Sequence, residues 1–295
     1  MIVFNTAEQL KNHLNDLRAQ KKTIGFAPTM GALHQGHISL IRIAHQHCDV
    51  VVCSVFVNPT QFNDIKDLDK YPRTILADTS LLRTSNCDIL FAPEVSEIYT
   101  EEELEMKRNN QEDRTWMEGK SVDFGLLDKV MEGAHRPGHF NGVAQVVSKL
   151  FRLVNPDKAF FGQKDFQQLS IIKSMVTQME MPIEIVACPI VREEDGLAMS
   201  SRNRRLTPEE RKEVPSISKL LFFIKDIYKT HPIKRLKEVV ENYYALEKLI
   251  QLEYFEIVDS ETLQPITNFN NSKSAVACIA VKLESVRLID NVILY

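Results

Sequence analysis

The sequence predicts an α/β fold, with a Rossmann-like parallel sheet that has helices on both faces and a smaller α+β C-terminal domain. Short apolar runs alternate with amphipathic stretches through the first 188 residues. One of these runs, 50–57, is nearly continuous apolar sequence rich in β-branched residues, which is typical of a strand covered on both faces. The alternation stops after Cys188. We therefore predict domains at residues 1–188 and 189–295.

The first domain begins with a predicted helix, since Thr6 to Gln9 resembles a capping box and the helical pattern ends near Gln20. Predicted strands then cover 24–27, 50–57, 89–92, 158–161 and 183–186. Predicted helices cover 74–86, 141–154 and 165–179, and a further one carries Ile38, Ile41, Ala44 and Cys48. Ligands of such sheets bind beyond the carboxyl ends of the strands, so polar residues at those ends are candidates for a shared site.

The second domain begins with a charged, loop-like segment up to Leu206. Thr207 to Glu210 then opens a helix, with a cap, a first-turn proline and acids at the positive end. Helical sequence continues to about Gln251, with interruptions at Pro215 and Pro232. Strands are predicted at 253–258, 275–281 and 286–289.

A polar segment, 100–121, interrupts the alternation of the first domain and contains Trp116, the only tryptophan. We interpret it as an exposed insertion, which is either a solvated loop or a surface for a partner.

Composition excludes several classes of protein. The chain is 44% hydrophobic and has a net charge of −4, so no basic excess suggests a nucleic-acid partner. No apolar run reaches membrane-spanning length, and the N-terminus lacks a signal pattern. Its five cysteines are scattered and include no C-x-x-C, which favours free thiols in a cytoplasmic protein.

The most informative stretch runs from Ile24 to His47. A strand leads through a loop of small residues into a helix, which would present free backbone N–H groups and the positive end of the helix dipole to an anion. His34 and His37 lie beside this point, and Gly36 between them would allow a flat ring or a phosphate to approach closely.

The string His34-Gln35-Gly36-His37 resembles the H-x-G-H element of nucleotidyltransferases and class I aminoacyl-tRNA synthetases. The longer string P-T-M-G-A-L-H-x-G-H, which starts at Pro28, resembles the pantothenate synthetase (pantoate–β-alanine ligase) family. The alternative is two surface histidines on a helix cap. The resemblance implies that ATP binds at Met30, Gly31, Ala32, Leu33, His34, Gln35, Gly36 and His37.

Two amides, Asn58 and Gln61, follow the strand 50–57. An amide both donates and accepts, so it can hold a hydroxyl and a carboxylate of a small hydroxy acid. On the residues alone, ordinary turn residues are an equal alternative. The motif F-V-N-P-x-Q-F resembles that of the family, which implies that Gln61 contacts the substrate acid and makes Asn58 a further candidate.

The segment from Phe161 to Gln168 resembles the family's F-G-E-K-D-[YF]-Q-Q, with Gln163 in place of the acid. Lys164 can neutralise phosphate oxygens as a point charge, and Asp165 can hold a ribose hydroxyl or cap the next helix. The resemblance assigns Gln168 to pantoate. It assigns ATP contacts to Gly162, Gln163, Lys164 and Asp165.

The segment from Ala198 to Asn203 resembles a degenerate K-M-S-K-S loop, in which Arg202 would supply the cation. Hydroxyl groups beside one guanidinium can bind pyrophosphate, although a Ser-Ser-Arg loop alone is usually only a loop. The candidate ATP-binding residues here are Val191, Met199, Ser200, Ser201 and Arg202.

Other matches to the family have no role that follows from the sequence. The segment from Met131 to Val143 is predicted as a glycine-punctuated loop that either shapes a pocket wall or caps the next helix. Asp78, a helical turn after Tyr71-Pro72-Arg73-Thr74, is a candidate for ordering Mg²⁺, with an acid on a helix surface as the alternative. The segment 287–291 is also similar to the family.

The resemblance implies ATP-dependent condensation of (R)-pantoate with β-alanine, which gives pantothenate, AMP and pyrophosphate through a pantoyl adenylate. It also implies Mg²⁺ bound with ATP, a homodimer, and His34, His37, Lys164 and Arg202 as the catalytic residues. One alternative is another H-x-G-H nucleotidyltransferase that adenylylates a small phosphorylated substrate. A second is a nucleotide sensor without catalysis, and the absence of a basic domain argues against a tRNA synthetase.

Overall fold

The computed structural model describes residues 1–62, 65–108, 122–284 and 286–295. These residues form two compact units, each containing one sheet. The first unit comprises Met1–Phe124, Arg136–Gln163 and Gln168–Cys188. The second comprises Gly125–His135, Lys164–Gln167 and Pro189–Tyr295. The division into two continuous domains at residue 188 stays a prediction. The compact units of the structure are discontinuous in sequence, since the segments 125–135 and 164–167 group with the second unit.

The first unit contains a six-stranded parallel sheet flanked by helices, which confirms the predicted fold class. Its strands are β1 (Ile2–Phe4), β2 (Ile24–Thr29), β3 (Val50–Val55), β4 (Ile89–Phe91), β5 (Lys158–Gly162) and β6 (Glu184–Cys188), in the spatial order β1-β4-β3-β2-β5-β6. Its helices are α1 (Ala7–Ala19), α2 (Gln35–Ala44), α3 (Ile65–Lys70), α4 (Ile75–Thr84), α5 (Glu101–Arg108), α7 (His139–Val154) and α8 (Phe166–Gln178), the last of which begins in the second unit.

Burial follows the position of each strand in the sheet. The central strands β2, β3 and β4 are almost wholly buried, whereas the edge strands β1 and β6 expose part of their length. Strands that are buried on both faces need continuous apolar sequence, which is what the run 50–57 contains. Helix α7 buries the predicted stripe of Val143, Val146, Val147, Leu150 and Val154.

The order of the strands reverses at β2, which pairs with β3 on one side and β5 on the other. From β2 the chain continues outward through β3 and β4, and it later returns to add β5 and β6 on the opposite side. In open parallel sheets, ligands bind in the crevice at such a reversal, outside the carboxyl ends of the strands. The segments that follow β2, β3 and β5 therefore meet at one edge of this sheet.

The second unit contains an antiparallel three-stranded sheet in the order β7-β8-β9, which comprises β7 (Gln251–Asp259), β8 (Ala275–Lys282) and β9 (Arg287–Ile293). Its helices are α6 (Met131–His135), α9 (Pro208–Glu213), α10 (Pro215–Ile227) and α11 (Ile233–Leu246). Helix α10 begins at Pro215 and helix α11 begins directly after Pro232, where the sequence predicts interruptions.

The central strand β8 is buried on both faces. Ala277, Ile279 and Val281 belong to an apolar cluster formed with α10 and α11. Val276 and Cys278 belong to a second cluster around Met131. Alternate residues of a strand point to opposite faces, so this apolar strand joins two cores.

Two predictions about local structure were wrong. The segment around Glu132, predicted as a loop, contains the short helix α6. The segment 100–121, predicted as a solvated loop, begins with helix α5, whereas the alternative of a partner surface stays a prediction. Thr100 and Glu103 form a reciprocal capping box at its start: the Thr100 N–H donates to Glu103 Oε2 (2.8 Å) and the Glu103 N–H donates to Thr100 Oγ1 (3.3 Å). The rest of that insertion, 109–121 with Trp116, lies outside the described residues.

Glu132 belongs to a network of charged side chains in the second unit, in which the two glutamate side chains are buried and Lys282 is exposed. The Arg287 guanidinium donates to both of its carboxylate oxygens, at 2.8 and 2.6 Å, and the Tyr254 hydroxyl donates to Oε1 at 2.8 Å. Arg287 Nε also donates to Glu253 Oε2 at 2.8 Å, and Lys282 lies 2.6 Å from the other oxygen of Glu253. Burial would raise the pKa of the Glu253 carboxyl, but the hydrogen bonds from Arg287 and Lys282 outweigh burial and lower that pKa.

In the part of the chain that the structure describes, no helix is long and apolar enough to cross a membrane.

The lowered pKa of Glu253 predicts how the stability of the protein depends on pH. The carboxylate stabilises the fold above its ordinary pKa of 4.5, and this contribution is lost as the pH falls through the lower folded value. Glu253→Gln should lower the free energy of unfolding at pH 7, by about 3–5 kcal/mol at most, because Arg287 keeps Glu132 as a partner. Urea unfolding between pH 7 and pH 3 (chosen to bracket that ordinary pKa) should then show a weaker loss of stability on acidification than in the wild type.

The matched control is Glu261→Gln, which changes an exposed carboxylate of the same unit. If Glu253→Gln and wild type lose stability in parallel on acidification, this ion network does not titrate as we predict.

Candidate active site

The loop between β2 and α2 is held by one buried carboxylate. The Ala32 N–H donates to Asp78 Oδ2 at 3.0 Å, and the Leu33 N–H donates to Oδ1 at 2.8 Å. Thr74 Oγ1 donates to the same carboxylate, which belongs to a side chain that is only 2% exposed. Ala32 has a φ of 50°, which is a left-handed conformation that is unfavourable for residues with a side chain. Asp78 therefore also stabilises an unusual backbone conformation.

Two histidines form the cap of helix α2. His34 is the N-cap residue, and its Nδ1 accepts from the Gly36 N–H at 3.1 Å. In return, the His34 N–H donates to His37 Nδ1 at 3.3 Å. The two rings are 4.1 Å apart. Because Nδ1 is the acceptor in both rings, each neutral imidazole carries its proton on Nε2, the form that can donate to a phosphate oxygen.

This geometry corrects one part of the predicted anion site. The prediction requires free backbone N–H groups, but the protein itself uses those of Gly31, Ala32, Leu33, His34, Gly36 and His37. An anion at the start of α2 would therefore meet imidazole donors and the helix dipole rather than these amides. Met30, Gly31, Ala32, Leu33 and Gln35 stay predicted contacts of ATP.

The polar residues after β3 form a buried cluster around Asn58. Asn58 Nδ2 donates to Gln61 Oε1 at 3.1 Å and to the Gly142 carbonyl at 3.2 Å. Its Oδ1 accepts from the Tyr99 hydroxyl at 2.9 Å and from Thr60 Oγ1 at 3.1 Å. Burial raises the pKa of Tyr99, so this hydroxyl keeps its proton and remains a donor.

Gln61 is held from several directions. Asn58 binds its side-chain oxygen, and Gln61 Nε2 lies 2.8 Å from Met30 Sδ, which joins the loops after β2 and β3. Its backbone carbonyl lies 3.0 Å from His139 Nδ1 on α7, and the other nitrogen of that ring lies 3.1 Å from Arg136. Substrate contact by Asn58 stays a prediction. Because both atoms of its amide already form hydrogen bonds within the protein, we expect Asn58 to act by orienting Gln61.

The end of β5 completes the edge of the first sheet. Gly162 is the last residue of β5, and the Gln163 N–H donates to the Cys188 carbonyl at the end of β6 (2.8 Å). An alanine Cβ at Gly162 would meet no atom of the described residues within 4 Å. Gln168, which the resemblance assigns to pantoate, is half-buried on α8.

The remaining predicted residues lie in the second unit. Lys164 Nζ lies 3.5 Å from the Asp165 carboxylate, and the Lys164 carbonyl accepts from Asn291 Nδ2 at 2.9 Å. Val191 and Met199 lie on opposite sides of a hairpin, where the Met199 N–H donates to the Val191 carbonyl at 3.0 Å.

The hairpin leads into a short 3₁₀ helix, Ser201–Arg205, of which Ser200 is the N-cap. The Ser200 hydroxyl oxygen accepts from the Arg202 N–H at 3.2 Å. The adjacent Ser201 is buried. Ser200, Ser201 and Arg202 therefore occupy one ordered turn.

The described residues show no ready-made cluster of protein ligands for Mg²⁺. Among them, no group of three or more histidine, cysteine, aspartate or glutamate side chains could hold a metal ion. Asp78 is not the surface acid considered from the sequence, since it is buried and both of its oxygens accept backbone N–H groups. A role for Asp78 in binding Mg²⁺ stays a prediction.

Comparisons with known proteins agree with this architecture. A family model described as pantoate-beta-alanine ligase matches residues 2–293. The chain belongs to the pantoate–β-alanine ligase family. It is 52% identical over 293 residues to a pantothenate synthetase of Porphyromonas gingivalis, with 99% of each chain covered. It is 50% identical over 292 residues to one of Bacteroides fragilis, with 99% of this chain and 98% of the relative covered.

Two solved structures of the family match the whole chain. The pantothenate synthetase of Thermus thermophilus has a TM-score of 0.88 at 37% identity, with 100% of both chains covered. The pantoate-beta-alanine ligase of Francisella tularensis, solved with beta-gamma ATP and beta-alanine, has a TM-score of 0.77 at 32% identity, with 100% of this chain and 98% of that one covered. The family resemblance found in the sequence is thus confirmed.

The sequence does not indicate the contacts by which several residues hold this family's motifs in place. Asp78 and Tyr99 are distant in sequence from the loops that they bind, and no local pattern indicates those contacts. His139 and Asn291 lie in segments that match the family, which was the only available signal.

Two glycine substitutions separate packing from ligand contact. Gly142→Ala places a Cβ 2.6 Å from the Thr60 carbonyl oxygen. Alanine favours a helix by up to about 1 kcal/mol over glycine, but overpacking costs about 1–3 kcal/mol, so we expect net destabilisation. Gly162→Ala meets no such contact and should leave thermal unfolding unchanged, while it raises the ATP concentration needed for half-saturation.

Thermal unfolding and ATP titration of both variants test this contrast. A Gly162→Ala variant with wild-type affinity for ATP would remove Gly162 from the predicted nucleotide contacts.

Asp78→Asn tests the support of the loop after β2. The amide retains one acceptor oxygen for the two N–H groups of Ala32 and Leu33, so one buried donor loses its partner. We expect the free energy of unfolding in urea to fall by about 1–3 kcal/mol. Asp16→Asn, at an exposed position on α1, is the matched control, and equal stabilities of the two variants would contradict this role.

Proposed function

We propose that this chain condenses (R)-pantoate with β-alanine, using ATP, through a pantoyl-adenylate intermediate. The observation that carries the proposal is the paired-histidine cap of α2 beside the reversal of the first sheet. Membership of the pantoate–β-alanine ligase family supports the reaction. The Francisella relative, solved with beta-gamma ATP and beta-alanine, supports ATP and β-alanine as substrates.

The first half-reaction needs a nucleophile, an electrophile and stabilisation of negative charge. A carboxylate oxygen of pantoate attacks the α-phosphorus of ATP, the bond from that phosphorus to the bridging oxygen breaks, and pyrophosphate leaves. No protein nucleophile takes part, so catalysis consists of positioning and stabilisation of charge. His34 and His37 would donate from Nε2 to phosphate oxygens as negative charge develops.

The second half-reaction consumes the adenylate. The neutral amine of β-alanine attacks the carbonyl carbon of the mixed anhydride, AMP leaves, and a proton is released as the amide forms. Gln61 and Gln168 would hold the hydroxyl groups and the acyl group of pantoate with neutral donors and acceptors.

The remaining assignments concern ATP. Lys164 and Arg202 would neutralise the triphosphate, Lys164 as a point charge and Arg202 through its fork of donors. The proposed ATP contacts are Met30, Gly31, Ala32, Leu33, His34, Gln35, Gly36, His37, Gly162, Gln163, Lys164, Asp165, Val191, Met199, Ser200, Ser201 and Arg202.

Three further properties are proposals that rest on the family resemblance: bound Mg²⁺, a homodimer and a cytoplasmic location. Mg²⁺ commonly keeps several waters and binds through substrate phosphates, so it does not need a cage of protein side chains. The ATP phosphates would therefore be its main ligands here, and Asp78 is the one protein residue predicted to order it.

The rival function is that of a nucleotidyltransferase that adenylylates a small phosphorylated substrate. Such an enzyme needs cations for the second phosphate, whereas the buried cluster that holds Gln61 through Asn58 is built from neutral amides and hydroxyls. Exchange of labelled pyrophosphate into ATP, measured with pantoate or with a phosphorylated acid as the only co-substrate, separates the two functions.

His37 variants test both the activity and the role of the paired cap. Exchange should proceed with ATP, Mg²⁺ and pantoate in the absence of β-alanine. The oxygen of His37→Asn can replace Nδ1 as the acceptor of the cap but does not reach the position of Nε2. We therefore expect wild-type stability and exchange slower by about 10²-fold, as for loss of one transition-state donor.

His37→Gln should behave in the opposite way, since its amide reaches the position of Nε2 but not that of Nδ1. It should be less stable than His37→Asn and should retain more exchange. His47→Ala, at an exposed histidine beyond the other end of α2, is the control. Wild-type exchange in His37→Asn would exclude this donor, and exchange that requires β-alanine would exclude the adenylate.

A further inference from the structure

Two adjacent residues of β9, Asp290 and Asn291, bind two separate segments of the second unit. Asp290 accepts from both terminal nitrogens of Arg192, at 2.6 Å for Oδ2 and 3.0 Å for Oδ1. Asn291 Nδ2 donates to the carbonyl of Lys164 at 2.9 Å. The sequence singles out 287–291 as similar to the family, but the proposed reaction gives this segment no role.

Arg192 lies in the hairpin that carries the Met199–Arg202 segment. It forms an antiparallel bridge with Ala198, and one terminal nitrogen also donates to the Gly196 carbonyl at 3.0 Å. The Glu193 N–H donates to the Leu197 carbonyl at 2.8 Å, which closes the hairpin. The position of Arg192 therefore determines where the chain enters the turn that contains Ser200 and Arg202.

In the Arg192–Asp290 pair the carboxylate is buried, and both of its oxygens accept hydrogen bonds. The Asp290 side chain is 1% exposed and that of Arg192 is 17% exposed. The Asn291 N–H donates to Asp290 Oδ1 at 2.7 Å, and the Arg192 guanidinium lies 4.9 Å from the centre of the Phe222 ring. A two-point arginine–carboxylate contact fixes orientation as well as distance, which a single-point contact cannot do.

We propose that Arg192, Asp290 and Asn291 are positioning residues that hold a clamp for the triphosphate of ATP. Asp290 fixes the hairpin before Arg202 through Arg192, and Asn291 fixes the backbone at Lys164. One rigid strand thereby sets the positions of two cation-bearing segments. This inference rests on the proposed function, because that function assigns Lys164 and Arg202 to the triphosphate.

The proposed clamp acts on only one half of the reaction. Pantoyl adenylate has already lost its pyrophosphate, so its reaction with β-alanine does not need the triphosphate to be held. Loss of a positioning residue should therefore impair adenylate formation and leave the second step intact. A purely structural defect would instead reduce both steps equally, because it lowers the fraction of folded enzyme.

Asp290→Asn is the first test, since it keeps the shape of the side chain and removes the second acceptor of Arg192. We expect pyrophosphate exchange with pantoate to slow by about 10²-fold and the KM for ATP to rise, as expected of small misplacements of a catalytic group. The KM for pantoate and the rate with supplied pantoyl adenylate and β-alanine should be unchanged.

Arg192→Lys and Arg192→Gln provide a second comparison in case Asp290→Asn does not fold. Lysine keeps the charge but loses the two-point contact with the carboxylate. Arg192→Lys should therefore exchange pyrophosphate faster than Arg192→Gln but more slowly than the wild type. Glu256→Gln is the matched control, because Glu256 lies in the same sheet as Asp290 and its carboxylate pairs with Lys237 of α11. It should leave both half-reactions unchanged.

Arg202→Ala, measured in parallel, distinguishes failure of this inference from failure of the proposed function. If Arg202→Ala leaves exchange and the KM for ATP unchanged, the clamp itself is wrong. The positioning role is overturned, and the proposed function stands, if Arg202→Ala impairs exchange but the Asp290 and Arg192 variants do not. The same conclusion follows if the Asp290 and Arg192 variants reduce both half-reactions equally.

Discussion

The carboxylate of Asp78 determines the shape of the loop between β2 and α2. It accepts N–H groups from residues 46 and 45 positions earlier in the chain, and without it two buried donors would lack partners. It also compensates for the left-handed backbone of Ala32, a conformation that costs roughly 1–2 kcal/mol for a residue with a side chain. The helix cap begins at the residue after this loop, so the orientation of both histidines depends on that carboxylate.

Much of the fold can be predicted from short-range patterns. The run 50–57 is short and rich in β-branched residues, which favours a buried strand, and the stripe on α7 has the three- to four-residue spacing of a helix; the structure has those elements there. The segment 275–281 was likewise predicted as a strand, although nothing local shows that its two faces meet different cores. The start of α5 also has a local signal, because Thr100 and Glu103 have the spacing of a capping box.

The candidate site is less predictable because its contacts are distant in sequence. The family motifs locate Gln61, but the partners that hold it come from α7 and from Asn58, which the sequence suggested as a substrate contact. The loop before α2 was predicted to offer free N–H groups, and only the folded chain shows that Asp78 and the histidines use them. For Asp290 and Asn291 the sequence does indicate that they have partners. They form a polar pair between apolar residues of a strand, and a buried polar pair must be hydrogen-bonded.

The paired cap explains why positions 34 and 37 need imidazole rather than a stronger cation. Each ring accepts a hydrogen bond at one nitrogen and has its proton at the other, within one rigid plane. Lysine and arginine carry a permanent charge for phosphate but have no acceptor, so either would leave a backbone N–H of the cap unpaired. An amide can accept and donate, but its two atoms lie too close together to occupy both places. The architecture of the helix end therefore restricts the choice of residue at these positions, independently of any demand that a phosphate makes.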